Sequence, residues 1–159
     1  GMAALLLLVS VLAAAPAIAE DGHDLWLRYL PLEAAKAQTY RVRLTQIVLD
    51  AGSPTRAAAR AELIRGLGGL LGGTPQLSAQ VTRDGALIAG TPASSPLLSS
   101  LQLDTGALGR EGYLIRSMRV NGHPATVIIA NEDIGVLYGA FGLLRLLQTG
   151  QPLEQLNVI

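Results

Sequence analysis

The clearest periodic pattern of apolar and polar positions in the chain lies between residues 54 and 71. Large aliphatic side chains recur there at three- and four-residue spacing, the period of a helix: Leu63, Ile64, Leu67, Leu70 and Leu71. Ser53 precedes them as an N-cap, and Pro54 fits the first helical position. Gly72-Gly73-Thr74-Pro75 then supplies a left-handed C-cap and a residue that cannot continue a helix. The pattern predicts a helix from about Pro54 to Leu71.

Two earlier segments are typical of β-strands. Asp24–Tyr29 is a short candidate that ends at Leu30-Pro31, because proline cannot donate a hydrogen bond to a ladder. Arg41–Leu49 alternates at first and then becomes wholly apolar with β-branched residues, as in a strand that enters the interior of a sheet. We therefore predict two strands before the first helix.

The middle of the chain contains two more strand-like runs. Leu77–Thr82 and Ala86–Gly90 flank Arg83-Asp84-Gly85, and an Asp-Gly turn between such runs predicts a β-hairpin. Ser95-Pro96 repeats the capping signal of the long helix and predicts a short helix through about Leu101.

Asn121-Gly122 is the strongest hairpin signal in the chain. It separates two runs of strand-forming residues, Tyr113–Val120 and Ala125–Ala130. A second hairpin is predicted here. Two tight hairpins favour a mixed sheet over an all-parallel one, since tight turns join antiparallel strands.

A long apolar helix is predicted to start after Asn131 or Asp133 and to end at Gly150. Burial of each large apolar side chain contributes about 1.5–3 kcal/mol, which outweighs a helix penalty of about 1 kcal/mol for each glycine. We expect this helix to lie against the sheet, with Gly135, Gly139 and Gly142 allowing close approach. Its apolar arc is wide: one face carries Ile134, Leu137, Tyr138, Phe141 and Leu144, and the adjacent face carries Val136, Ala140, Leu143 and Leu147.

The order of elements predicts the fold class. Strand, strand, helix, hairpin, short helix, hairpin and long helix follow one another without an internal repeat. This order predicts an α/β domain, a two-layer sandwich in which helices pack on one face of a mixed sheet. We predict one domain over residues 20–150, followed by a connector over residues 151–159.

Composition excludes several classes of function. The net charge of the 159-residue chain is zero and 15% of its residues are charged, so no basic field is available for nucleic acid or anionic membrane. The absence of cysteine excludes disulfides, thiol catalysis and thiolate metal sites. Stacking on sugars or bases would have to use the six aromatic residues, most of which are expected in packing: Trp26, Tyr29, Tyr40, Tyr113, Tyr138 and Phe141.

The first residues are typical of a signal peptide. Ala3–Ala15 is an apolar run of the right length, and Ala17-Ile18-Ala19 provides small residues for cleavage before Glu20. This run is too short for a transmembrane span, which needs about 20 apolar residues. We predict a signal peptide over residues 1–19 and a periplasmic or secreted protein; the alternative is a buried N-terminal helix.

No motif in the chain predicts an active site. The glycine-rich run 66–74 fails as a phosphate loop, because the required lysine is replaced by Thr74 and the glycines follow a helix rather than precede one. The histidines His23 and His123 lack metal-site spacing. Adjacent Glu132 and Asp133 cannot face each other across a substrate and are interpreted as favourable charges at a helix start. No catalytic, cofactor-binding or metal-ligating residue is predicted.

Four segments together resemble a known family. They are Asp24–Tyr29, Gly90–Pro96, Gly109–Arg116 and Gly135–Gly150, which occur in order with compatible spacing. They resemble the N-terminal domain of the α-glucuronidases of glycoside hydrolase family 67. The resemblance covers nearly all of residues 20–159.

The resemblance implies a fold, an activity and a partner. In that family an α/β domain, similar to one in β-N-acetylhexosaminidases, precedes a (β/α)₈ barrel that holds the active site. The implied activity is removal of (4-O-methyl)glucuronic acid from xylo-oligosaccharides by an inverting mechanism, with the catalytic carboxyl groups in the barrel. This chain would then be a non-catalytic support that needs no cofactor. A free-standing carbohydrate-binding module and the equivalent hexosaminidase domain are the alternatives.

Overall fold

The computed structural model describes residues 28–159. The predicted signal peptide and Asp24–Leu27 of the predicted first strand lie outside the described residues; Arg28 and Tyr29, which are described, are not in a strand. The elements in chain order are α1 (Ala34–Arg41), β1 (Gln46–Val48), α2 (Pro54–Leu71), β2 (Gln76–Leu77), β3 (Ala86–Gly90), α3 (Pro96–Ser100), β4 (Tyr113–Val120), β5 (His123–Ala130), α4 (Asp133–Gln148) and β6 (Asn157–Val158).

One mixed sheet organises the described chain. Its strand order is β2-β1-β3-β5-β4-β6. The first four strands in this order are parallel to one another, and β4 is antiparallel to both β5 and β6. Successive residues of β3 and β5 point to opposite faces, so the sheet buries a hydrophobic core on each side.

Helix α2 has the predicted bounds. The Ser53 hydroxyl accepts a hydrogen bond from the backbone N–H of Arg56 at 3.1 Å, and Pro54 occupies the first turn. At the other end Gly72 has φ of 76°, and its N–H donates to the carbonyl of Gly68. The local capping signals therefore determine both ends of this helix.

The second predicted hairpin is confirmed. β4 and β5 pair in antiparallel register from Tyr113 with Ala130 to Val120 with His123. The turn residues Asn121 and Gly122 have φ of 51° and 80°, the left-handed pair of angles that a tight hairpin turn needs.

The first predicted hairpin is wrong. β2 and β3 do not pair with each other, because both are parallel neighbours of β1. Gly85 is bonded to other segments: its N–H donates to the carbonyl of Pro124, and its carbonyl accepts from the N–H of Thr45. Thr82, predicted to lie in a strand, is bonded by the buried side chain of Gln46 instead of by a neighbouring strand. Oε1 of Gln46 accepts from the N–H of Thr82 at 3.1 Å, and Nε2 donates to the Thr82 hydroxyl at 2.6 Å.

Helix α1 is absent from the prediction, and the strand predicted over Arg41–Leu49 is shorter than expected. Glu33 caps α1 by accepting from the N–H of Ala35, and the alanine-rich sequence that follows favours a helix. Arg41 ends the helix, so it cannot begin a strand. The backbone turns between residues 40 and 45, and β1 is confined to Gln46–Val48.

The predicted α/β class, with helices packed on a mixed sheet, is confirmed. α1, α2 and α4 contribute buried side chains to the core on one face. The short helix α3 and the loop that follows it cover the other face, where Leu98 and Leu108 join the second core. The predicted placement of helices on one face therefore holds for the three longer helices and not for α3.

Close contact between α4 and the sheet depends on glycine. A Cβ atom added at Gly139 would overlap the Cγ2 methyl of Ile128 in β5, and one added at Gly135 would lie 2.7 Å from the Cβ of Ala130. The predicted close approach at Gly135, Gly139 and Gly142 is confirmed.

Residues 151–159, interpreted from the sequence as a connector, lie against the domain. The Tyr40 hydroxyl donates to the carbonyl of Gln151 at 2.6 Å, and Leu153 is buried. The N–H of Leu156 donates to the hydroxyl of Ser117 at 2.8 Å, which holds the segment beside β4. β6 then completes the edge of the sheet. Whether these residues also lead into a further domain stays a prediction.

Candidate functional site

An apolar groove of about 620 Å³ lies between α4 and the β4–β6 edge of the sheet. Four of the six aromatic side chains of the chain line it. We call it the aromatic groove; its lining residues are Tyr29, Tyr113, Ile115, Tyr138, Phe141, Gly142, Arg145, Leu146, Gln148 and Val158. Aromatic residues brought together from distant parts of a chain are typical of a surface that binds another molecule.

Two faces of α4 explain how the groove forms. The helix buries Val136, Ala140, Leu143 and Leu147 in the core. Tyr138 lies on a different side and is 41% exposed, and Phe141 is half-buried, so the predicted burial of this second face is incomplete. The core therefore uses only part of the apolar arc of α4, and the remainder forms one wall of the groove.

Tyr113 forms the floor beside that wall. It is the first residue of β4, and its side chain lies across α4 at two glycines. A Cβ atom at Gly139 would come within 3.3 Å of the Tyr113 Cβ, and one at Gly142 would overlap the Tyr113 hydroxyl. The phenol is thus seated against the helix rather than directed into solvent.

Tyr29 also lines the groove and is held by two residues of α2. Its side chain is buried, and its hydroxyl donates a 2.7 Å hydrogen bond to Oε1 of Glu62 in α2. The Arg65 guanidinium lies 4.7 Å from the ring centroid and pairs with Glu62 at 2.6 Å. Burial, followed by the hydrogen bond to Glu62, raises the pKa of Tyr29 well above the usual tyrosine value.

This raised pKa predicts a loss of stability at alkaline pH. In the unfolded chain the phenol ionises near pH 10, whereas in the fold it stays protonated. The unfolded state therefore releases a proton that the folded state keeps, so the contribution is fully present below about pH 10 and falls as the pH rises further. Tyr29→Phe should flatten the dependence of the free energy of unfolding on pH above 10, measured by urea denaturation. Burial also raises the pKa of Tyr40, so Tyr40→Phe should change the pH dependence in the same direction. An unchanged slope in both variants would contradict this account.

A second depression, of about 860 Å³, lies at the carboxyl ends of β1 and β3. Helix α2 leaves β1 on one face of the sheet and α3 follows β3 on the other, so the crevice occupies a switch point, where open α/β sheets commonly bind ligands. Several of its polar groups have partners within the chain. Asp50 accepts from the N–H of Gly52 at 2.7 Å and pairs with Arg56 at 2.6 Å, and the Ser95 hydroxyl caps α3.

The pKa of Asp50 follows from these contacts. Its carboxylate is held mainly by the N–H of Gly52 and then by the guanidinium of Arg56, and both interactions lower the pKa below the usual value for aspartate. Asp50 thus stays ionised and engaged with its own loop.

The residues tested from the sequence lie in separate places. His23 and Trp26 are outside the described residues. His123, expected in the turn, is instead the first residue of β5 and pairs with Val120. Its Nδ1 lies 2.6 Å from Oδ1 of Asp84, a contact that local sequence does not indicate. The glycine-rich run ends α2 as predicted, and Gly66 within it contacts Leu144 of α4: an added Cβ would lie 2.6 Å from a Leu144 methyl.

The two carboxylates at the start of α4 point to different partners. Glu132 occupies the N-cap position, yet its side chain makes no capping hydrogen bond and instead pairs with Arg110 at 3.2 Å. Asp133 accepts from the Ser53 hydroxyl at 2.7 Å and lies 3.1 Å from Nε of Arg56. Their interpretation as favourable charges at a helix start holds, and only the side-chain cap is missing.

Residues 28–159 contain neither a metal-binding cluster nor a membrane-spanning helix. Within that range no group of three or more His, Cys, Asp or Glu side chains is arranged to hold a metal ion. No helix in the same range is both long and apolar enough to cross a membrane.

Comparison with known proteins gives the family. Residues 25–143 match the family described as Glycosyl hydrolase family 67 N-terminus. The chain belongs to this family. The resemblance stated from the sequence is therefore confirmed for the family 67 domain.

Two curated relatives agree with this result. The chain is 32% identical over 152 residues to "Alpha-glucuronidase A" of Emericella nidulans, covering 91% of this chain and 17% of the relative. It is also 32% identical over 157 residues to "Alpha-glucuronidase" of Hypocrea jecorina, covering 91% of this chain and 18% of that protein. The family 67 chain thus spans less than a fifth of the length of either relative.

A solved structure supports the fold. A family GH115 4-O-methyl-α-glucuronidase, titled as having specificity for decorated arabinogalactans, superposes with a TM-score of 0.55 and 22% sequence identity. The match covers 65% of this chain and 13% of the other. At this level of identity the likeness concerns the fold alone.

The aromatic groove is the feature that sequence analysis missed. It interpreted most aromatic residues as core, whereas Tyr138 and Phe141 face the groove. Their spacing of three on a helix whose other face is also apolar was the available signal. A helix that needs one apolar face for its core and carries two has one face left for another contact.

Proposed function

We propose that this domain is a non-catalytic support of an α-glucuronidase that removes (4-O-methyl)glucuronic acid from xylo-oligosaccharides. Its membership in the family 67 N-terminus and its two relatives named as α-glucuronidases support the enzyme class. Catalysis then belongs to a part of the protein outside this domain, since the relatives are much longer than the matched region. We also propose that the parent protein is exported, on the basis of the signal-like residues 1–19.

The positions of the carboxylates are the observation that best supports a non-catalytic role. An inverting glycosidase needs two carboxyl groups about 6.5–9.5 Å apart across a cleft. No carboxylate lines the aromatic groove, and Asp50 is the only one that lines the crevice. A third depression, of about 230 Å³ beside β4, has Glu154 alone. None of these three surfaces therefore offers an acid and a base to one substrate.

A carbohydrate-binding role is the second candidate, and the aromatic groove favours it. Sugars stack on exposed aromatic faces, and Tyr138 presents such a face. This alternative would make the domain a binding module for xylo-oligosaccharides rather than a support.

Two measurements separate these functions. The 159-residue chain and the full-length gene product are assayed on aldouronic acids, with release of glucuronic acid as the readout. We expect release by the full-length protein and none by the isolated domain; activity of the isolated domain would refute the proposal. Calorimetric titration of the isolated domain with xylo-oligosaccharides should give no heat of binding, whereas saturable heat would favour the binding module.

A further inference from the structure

We propose that the aromatic groove is the surface through which this domain packs on the catalytic part of the same polypeptide. The inference rests on the proposed function and adds the location of the contact. The groove would be covered by an apolar surface of the covalently attached catalytic part.

The walls of the groove have the character of a protein interface. Tyr138 is 41% exposed, and Phe141, Leu146 and Val158 line the same groove as partly buried apolar side chains. Tyrosine and phenylalanine are enriched in the centres of protein interfaces. Covering them would remove apolar surface from water that the core of this domain leaves exposed.

The hydroxyl groups of the groove argue for a protein rather than a sugar. A sugar site places polar groups beside its aromatic faces to bind the ring hydroxyls. Here the Tyr29 hydroxyl already donates to Glu62, and the Tyr113 hydroxyl lies against α4 at Gly142. The Tyr29 hydroxyl is thus already engaged within the domain, and the Tyr113 hydroxyl is packed beside a helix glycine.

The path of the chain identifies the occupant. Val158 of β6 forms part of the groove, and Ile159, which follows it, is 80% exposed. The family is described as an N-terminus and the matched region covers 17–18% of the relatives, so in them most of the polypeptide lies beyond this domain. A partner attached beside the groove is present at high effective concentration, and a modest apolar surface then suffices to hold it.

A single introduced thiol can test this contact, because the 159-residue chain contains no cysteine. Tyr138→Cys is labelled with a maleimide in the isolated domain and in the full-length gene product, and the rate at the peptide carrying residue 138 is followed by mass spectrometry. We expect labelling to be at least about tenfold slower in the full-length protein, since access governs thiol modification. The matched control is Leu77→Cys on β2, at the opposite edge of the sheet and 46% exposed, which should react at the same rate in both proteins.

Several outcomes would overturn the inference. Equal rates at Tyr138→Cys in the two proteins would show that nothing covers the groove. Protection of the isolated domain by xylo-oligosaccharides would identify a sugar site, and protection that rises with domain concentration would identify a second copy as the occupant.

Hydrogen exchange of the unmodified proteins provides a check without a substitution. Backbone amides of residues 138–148 should exchange more slowly in the full-length protein than in the isolated domain. Neither measurement uses a substrate. A full-length protein that is inactive but has a protected groove would refute the proposed enzyme activity and support the proposed contact. A full-length protein that is active but has an unprotected groove would support the activity and refute the contact.

Discussion

Replacement of Ile128 by alanine is expected to lower the free energy of unfolding of the domain by about 2–5 kcal/mol. Ile128 is fully buried in β5, opposite Ala89 of β3 and Ile115 of β4, and it belongs to the core beneath the long helices. Truncation removes apolar burial and leaves a cavity. Because β5 is bonded to a strand on each side and α4 is already in contact with it through Gly139, the surroundings have little freedom to close that cavity.

The measurement is urea denaturation followed by far-UV circular dichroism, with equal slopes confirming that only stability has changed. Leu77→Ala is the matched control, because Leu77 is also a strand residue but is 46% exposed on the edge strand β2. Its effect should stay within about 0.5 kcal/mol. If Ile128→Ala were no more destabilising than this control, the packing of α4 on β5 would be wrong.

The elements that could be predicted from sequence are those defined by local chemistry. Helix α2 is bounded by an N-cap serine and a left-handed glycine, both of which act within a few residues. The β4–β5 hairpin is set by Asn121-Gly122, whose backbone angles close the turn without tertiary help. Neither element depends on what the rest of the chain does.

The misplaced elements depend on distant partners. Asp84-Gly85 has a turn-forming sequence, but β1 pairs with both β2 and β3 in parallel and thereby prevents the two from forming a hairpin. Parallel pairing between segments joined by a long crossover leaves no local mark in the sequence. In the same way, the alternation that starts at Arg41 favours a strand, although the alanine-rich residues before it extend a helix through that position.

The aromatic groove was beyond local analysis for a similar reason. Tyr29, Tyr113 and Tyr138 come from three distant segments and meet only when β4 lies beside α4. The family resemblance indicated the family and the fold, which the comparisons bear out, but it placed no residue on this surface. Geometry alone separates the apolar face of α4 that packs in the core from the face that remains accessible.

Replacement of Gly139 by valine is the second large effect that we expect, a loss of about 3 kcal/mol or more in the free energy of unfolding. Gly139 is buried at the contact between α4 and β5, where even a Cβ atom would overlap the Cγ2 methyl of Ile128 and lie 3.3 Å from Tyr113. The added side chain must push the helix away from the sheet. Gly73→Val is the control, because a Cβ atom at Gly73 meets nothing within 4 Å.

A double-mutant cycle identifies the cause of this loss. If the overlap with the Ile128 methyl is responsible, Gly139→Val should cost less in the Ile128→Ala background, which lacks Cγ2, than in the Ile128→Val background, which retains it. Equal costs in both backgrounds would place the strain elsewhere, at Tyr113 or within the helix itself. The same displacement would move Tyr138 and Phe141 away from β4, so full-length Gly139→Val should also lose protection of the groove amides. Core packing and the proposed contact surface are thus coupled through one position on α4, whose glycine lets a single helix serve both.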